Sequence, residues 1–240
     1  MNKILEANNS DRHEYVYTAL YGSQNYKLDN TNSDKDYKML VVPHTKALIL
    51  NNKQLSKVVE VEDGLVEIKD IRKVFDSYKK MSIVDIETLF SVESIVNNRY
   101  GEEMLELIKM REDIVASNPF RLYQVVLGVM TSLSSRKNFT DKDACQVIRY
   151  YDIFDRYLIG NETFEETLDT SKSERYQFML DTKAGKVSKE ELMKEIYFYI
   201  DITRAYKNKI DKERNHEVYE RLDDILLRIF EKRIKVDLDR

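Results

Sequence analysis

Asp34 and Asp36 stand one residue apart at the mouth of an apolar run, Met39-Leu40-Val41-Val42, that Pro43 closes. A strand has a side-chain period of two, so both carboxylates are expected on one face. Two anions a few ångströms apart repel unless a cation or a proton neutralises them. The pair therefore reads as a Mg²⁺ site, because Mg²⁺ takes a few carboxylates together with substrate phosphates. Upstream, Gly22-Ser23 supplies the complement. Gly22 lacks a Cβ, so another group can approach its backbone. Ser23 offers a hydroxyl and is expected to open a short helix whose free N–H groups attract phosphate. A phosphate cradle followed by two metal-holding aspartates suits phosphoryl or nucleotidyl transfer.

The elements that must position these groups follow from periodicity. Tyr15 to Tyr21 reads as a strand, and a second strand is expected from near Asp34 to Pro43. Lys57–Glu62 and Leu65–Lys69 alternate apolar and polar residues about an Asp63-Gly64 turn, the signature of a hairpin. Asp70 is placed to cap a following helix in which Ile71, Val74, Phe75 and Tyr78 share a face. From about Asn98 the period changes to that of helices. Helices are expected over 102–117, over 120–136 after Asn118-Pro119, and from a Thr140 cap with Asp143 at the capping-box position to near Gly160. A shorter one is expected over 174–181, then one from Ser188 to about Asn208 and a last one over about 217–233. The reading is an α+β chain with a mixed-sheet half, residues 1–100, and a helical half, residues 101–240, with the cleft between them as the natural site.

Composition narrows the function classes. Lysine and arginine number 39 against 43 acidic residues, net charge −4, so no global basic field holds nucleic acid and a polynucleotide needs a local patch. The lone Cys145 excludes an internal disulfide and a cysteine-based zinc site, and His13, His44 and His216 are scattered. No apolar run reaches membrane-spanning length and MNKILEANNSDRHEY lacks a signal-peptide core, so a cytoplasmic protein without membrane contact is expected. A P-loop, a Rossmann glycine fingerprint and a serine-hydrolase elbow are all missing from the sequence.

The stretch GSQNYKLDNTNSDKDYKMLVVP resembles the nucleotidyltransferase superfamily that includes DNA polymerase β. It is similar above all to the branch of bacterial and phage proteins described as predicted or RNA-repair-pathway nucleotidyltransferases. Their Gly-Ser-x-x-Tyr-x-Leu turn followed by Ser-Asp-x-Asp is matched by Gly22-Ser23, Tyr26, Leu28, Ser33, Asp34 and Asp36. Downstream, Asp70-Ile71-Arg72-Lys73 and Ile86-Glu87-Thr88-Leu89-Phe90 continue the match, with Met81-Ser82 where the family has Asn-Pro. The resemblance implies a small polymerase-β-like sheet domain followed by a helical bundle. It implies two Mg²⁺ (or Mn²⁺) ions held by Asp34, Asp36 and a third carboxylate, which can also take the acceptor's proton. Glu67 is the first choice for that carboxylate, with Glu60, Glu62 and Asp70 as rivals, since strand register decides among them. It further implies an NTP substrate, NMP transfer to an RNA or tRNA end or a protein hydroxyl, and phosphate binding by Gly22 and Ser23. In the helical half Lys142, Gln146 and Arg149 share a helix face. The branch has Lys, His and Arg at these spacings, so Lys142 and Arg149 are implied to grip the triphosphate or the acceptor, while Gln146 replaces the histidine. The turn at Lys183–Lys186 resembles a late feature of the family.

Each feature also has a plain structural reading. Tyr26 either stacks on a base or packs the turn. Lys142 and Arg149 also suit an ordinary charged helix face, Glu67 a solvent-facing hairpin position, and Cys145 a small buried apolar one. The rival function is a catalytically silent nucleotide- or partner-binding module on the same fold.

Overall fold

A computed structural model describes residues 12–29, 34–61 and 64–239 and shows a mixed α and β protein. The chain divides into two compact units, one of residues 1–25, 30–114 and 215–240, the other of 26–29 and 115–214.

The first unit is built on a five-stranded sheet. Its strands are β1 (His13–Tyr21), β2 (Asp36–Pro43), β3 (Ser56–Val61), β4 (Gly64–Asp70) and β5 (Ser94–Val96), in the order β3-β4-β2-β1-β5. β2 and β4 run parallel, and the other neighbours are antiparallel. Parallel partners need a crossover, here supplied by α1 (Thr45–Ile49) and the edge strand β3. The hairpin stands where the alternation of 57–69 places it, while Glu62 and Asp63 lie outside the described residues.

One sheet face carries the apolar cluster Leu20, Tyr37, Met39, Val41, Val66 and Ile68. Residues one step out of phase face the other side. There Tyr17, Ala19 and Leu40 are buried, and α2 (Ile71–Lys79), α3 (Ile83–Ile86) and a 3₁₀ turn (Glu87–Phe90) follow in the chain. The Tyr17 hydroxyl donates to the Thr88 carbonyl at 2.8 Å, tying that turn to the sheet. Asp70 caps α2 as expected: its Oδ1 accepts from the Arg72 N–H at 3.0 Å. The unit also includes α4 (Gly101–Lys109) and the C-terminal helix, which begins at His216 and runs to Leu238, beyond the 217–233 read from the sequence.

The expected helix over 102–117 is two helices, α4 and α5 (Arg111–Ala116), with Met110 between them. The second unit holds α6 (Pro119–Ser134), α7 (Asp141–Ile153), α8 (Phe164–Leu168), α9 (Tyr176–Lys183) and α10 (Lys189–Ala205). Thr140 and Asp143 form the expected capping box on α7. Past Ile153 the turn widens into a π segment, Phe154–Ile159, which ends at Gly160. Arg156, within that segment, is held by Asp152 at 3.1 Å and Glu162 at 2.5 Å. The last helix is α11 (His216–Leu238) of the first unit. Among the described residues no helix is long and apolar enough to cross a membrane.

Candidate functional site

The Gly22 turn and the mouth of β2 meet at one end of the sheet. Tyr21 pairs with Asp36 across β1 and β2, so the chain reverses at Gly22 directly beside the Asp36 carboxylate. Gly22 adopts φ +84°, and a Cβ built there would stand 3.7 Å from Asp36 Oδ2. The backbone conformation, more than space, requires glycine. Residues 23–27 form consecutive turns rather than the expected short helix, so no helix N-terminus lies at Ser23. The Asn25 N–H closes the turn on the Gly22 carbonyl at 2.9 Å.

β2 begins at Asp36, not at Asp34. Asp34 is exposed and precedes the strand, so the period-of-two argument fixes the direction of Asp36 alone. Gln24 Nε2 reaches the Asp34 carbonyl at 3.4 Å, linking the Gly22 turn to the Asp34 backbone. Ser33 lies outside the described residues.

Asp36 Oδ1 accepts from the Leu65 N–H at 3.3 Å, so the same carboxylate also ties β2 to the start of β4. At this join Gly64 has φ +155°, and a Cβ there would fall 2.2 Å from the Lys35 carbonyl oxygen. The hairpin glycine thus presses on the backbone between Asp34 and Asp36. In the sequence Gly64 is marked only as a turn residue; its contact with Lys35 depends on the β2–β4 register.

The register also sorts the rival carboxylates. Glu67 pairs with Lys38 and so shares a face with Asp36. Asp70 pairs with Val41 on the opposite face and is clasped by Arg72, Nε to Oδ1 at 3.0 Å and an Nη to Oδ2 at 2.7 Å. Glu60 is exposed on the edge strand β3, and Glu62 falls outside the described residues.

Glu67 is not isolated. Lys69 Nζ stands 3.0 Å from its Oε1 and Lys38 Nζ 3.4 Å from its Oε2. Both ammoniums also meet Asp85 Oδ1, at 2.7 Å from Lys38 and 3.0 Å from Lys69. Lys38 is completely buried, donates to the Val84 carbonyl at 2.8 Å and lies 5.0 Å from the centre of the Tyr21 ring. A buried ammonium is tolerated only when paired and hydrogen-bonded in this way. Burial pulls the Lys69 ammonium down, but Asp85 and Glu67 outweigh it and raise it. Burial and then the charges of Glu67, Asp36, Glu87 and Asp85 push the Tyr21 phenol up to about 12. The tyrosine therefore stays protonated and senses a concentration of negative charge. Lys38, Lys69 and Asp85 were absent from the residues read as functional, although the exact alternation Asp36-x-Lys38 and Glu67-x-Lys69 put the lysines on the carboxylate face.

The remaining candidates belong to the second unit. Arg149 is 3% exposed and its guanidinium lies 3.6 Å from the centre of the Tyr26 ring. Thr170 Oγ1 donates to the Tyr26 carbonyl at 2.5 Å, Lys27 pairs with Asp169 at 2.7 Å, and Lys183 Nζ donates to the Leu28 carbonyl. Tyr26 and Arg149, predicted separately, are thus one stacked pair, and Lys183 secures the same short segment. Lys142 is exposed one helical turn from Gln146, which accepts from Arg149 at 3.5 Å. Cys145 is buried, and burial pushes its thiol up.

Among the described residues no group of three or more His, Cys, Asp or Glu side chains is arranged to hold a metal ion. The carboxylates of Asp34 and Asp36 are hard oxygen donors of the kind Mg²⁺ takes together with waters or phosphate oxygens. Glu67 already has two ammonium partners, so it fits a cation only by exchanging them. No protein-family model and no curated protein matches the chain.

Proposed function

We propose that the protein is a Mg²⁺-dependent nucleotidyltransferase that moves NMP from an NTP to a hydroxyl acceptor, with an RNA or tRNA end as the first acceptor and a protein side chain as the second. The observation that carries this reading is the meeting of the Gly22 turn with Asp36, 3.7 Å from the position of a Gly22 Cβ. It puts half-buried turn backbone and a half-buried carboxylate side by side, an arrangement that suits a polyphosphate with its cation.

In this reading Asp34 and Asp36 hold the cation, which when bound offsets charge on the phosphates. The Gly22-Ser23 turn receives the outer phosphates through backbone and hydroxyl. The acceptor oxygen forms a bond to the α-phosphorus as the bond to the β-phosphate oxygen breaks, and pyrophosphate leaves. The acceptor proton passes to a carboxylate on the same face, Glu67 or Asp36, or to water. Lys69, kept cationic by Asp85 and Glu67, supplies positive charge on that face. Most of the rate comes from positioning the two reactants.

The two lysines on Glu67 favour a second reading, a nucleotide- or partner-binding module without turnover. One experiment separates them. Each α-³²P NTP is incubated with the protein, Mg²⁺ or Mn²⁺, and total cellular RNA and protein, alongside an Asp34→Asn/Asp36→Asn variant. Label transferred only by the intact pair is the expected result. Metal-dependent NTP binding without label in any fraction would establish the binding module instead.

A further inference from the structure

In the second unit, four aromatic rings stand in series. Phe120 stacks on Tyr123 at 5.8 Å, Tyr123 meets Phe154 at 6.4 Å, and Phe154 meets Tyr206 edge-on at 5.7 Å. An ammonium covers each end: Lys212 Nζ is 5.7 Å from the Phe120 centroid and Lys209 Nζ 4.4 Å from that of Tyr206. Beside Phe120 opens a cavity of about 510 Å³, lined by Phe120, Tyr123, Gln124, Leu127, Ser132 and Lys207 among others. The Tyr123 side chain is 2% exposed, and its hydroxyl makes no hydrogen bond among the described residues. A buried hydroxyl without a partner costs free energy, and Tyr123 is one of the residues that line this cavity.

The charge around this cavity runs against that of the protein. Between Arg204 and Arg214 stand five basic and two acidic residues, in a chain of net charge −4. Arg204 is paired with Asp201 at 3.2 Å, while Lys207, Lys209 and Lys212 are exposed.

We propose that this groove binds single-stranded nucleic acid, with a base lodged beside Phe120 and the flanking phosphates on Lys207 and Lys212. An acidic peptide would use the lysines but leave the aromatic wall idle. A single strand uses both, because every base has a π-face while its backbone repeats the negative charge. That the strand is also the acceptor of the transfer rests on the nucleotidyltransferase reading; the binding itself does not.

The test is fluorescence anisotropy of a labelled oligo(U) 12-mer with the full chain, in EDTA and without NTP, over a range of salt. Binding should weaken with salt at a log–log slope of about −0.7 for each phosphate neutralised. Lys207→Gln/Lys212→Gln should weaken binding about tenfold and reduce the slope by about 1.4, the value for two lost phosphate contacts. Phe120→Leu should weaken binding about tenfold with the slope unchanged, the sign of lost stacking. Circular dichroism establishes that each variant is folded. The proposal is overturned if the 12-mer does not bind, if the folded variants bind it as the parent does, or if polyglutamate of equal charge displaces it equally well. Because metal and NTP are absent, such a failure leaves the transfer reading standing, and failed transfer leaves this binding standing.

Discussion

Lys38 Nζ lies 2.7 Å from Asp85 Oδ1 with both side chains inside the protein, so the strand that begins with Asp36 is bolted to α3 by a buried ion pair. Breaking one side of such a pair leaves an uncompensated buried charge, which costs about 3–5 kcal/mol, whereas replacing both sides with apolar groups costs far less. Lys38→Met should therefore lose stability on that scale in urea unfolding, and Lys38→Met/Asp85→Leu should recover much of it. Strict additivity of the two single changes would show that the pair is not coupled.

The same pair sets an acid limit. Burial raises the Asp85 carboxyl, but Lys38 and Lys69 outweigh it and hold it below its ordinary value of 3.8. A carboxyl depressed by folding contributes stability that is present above its ordinary value and is lost as pH falls through the folded value. Unfolding free energy followed from pH 5 downward should decline more steeply in the parent than in Asp85→Asn. Equal slopes would sink this assignment.

How much of this was written in the chain differs from residue to residue. The β3–β4 hairpin, the Asp70 cap and the Thr140–Asp143 box are local patterns, each decided by residues within a few positions, and they stand where the sequence puts them. The Ser23 helix does not: residues 23–27 turn instead, and Thr170 and Lys183 hold the Tyr26–Asp29 segment from far along the chain. Glu67 could be ranked above Asp70 only by strand register, which places one on the Asp36 face and the other opposite Val41. The Lys38–Asp85 pair was invisible for the same reason. Nothing local marks a lysine in a strand as buried, and its partner stands on another element.

Gly64 and Gly22 make opposite demands on an added methyl group. At Gly22 a Cβ has room, with Asp36 Oδ2 at 3.7 Å, so Gly22→Ala should cost only the backbone strain of φ +84°, about 1–2 kcal/mol. At Gly64 a Cβ would fall 2.2 Å from a backbone oxygen, so the hairpin and the Lys35 peptide must separate. Gly64→Ala should be the more destabilising of the two in urea unfolding. In the label-transfer assay it should also lower the rate more, because it displaces the backbone between Asp34 and Asp36. The reverse order in both assays would mean that the join between β2 and β4 is not what holds the Asp pair.

Arg149 over Tyr26 distinguishes a structural cation from a substrate-binding one. The guanidinium is 3.6 Å from the ring centre and 3% exposed, so the stack is desolvated, a setting in which cation–π pairs are worth about 2 kcal/mol. Lys at this position keeps the charge but loses the flat stacking surface. Arg149→Lys and Tyr26→Leu should each destabilise the protein and, combined, should cost less than their sum by about 1–2 kcal/mol. If Arg149 serves only this stack, KM for NTP in the label-transfer assay should follow the folded fraction and Arg149→Lys should match Tyr26→Leu. If it also grips phosphate, Arg149→Lys should raise KM well beyond Tyr26→Leu at equal stability. The burial of the guanidinium against Tyr26 makes the first outcome the expected one.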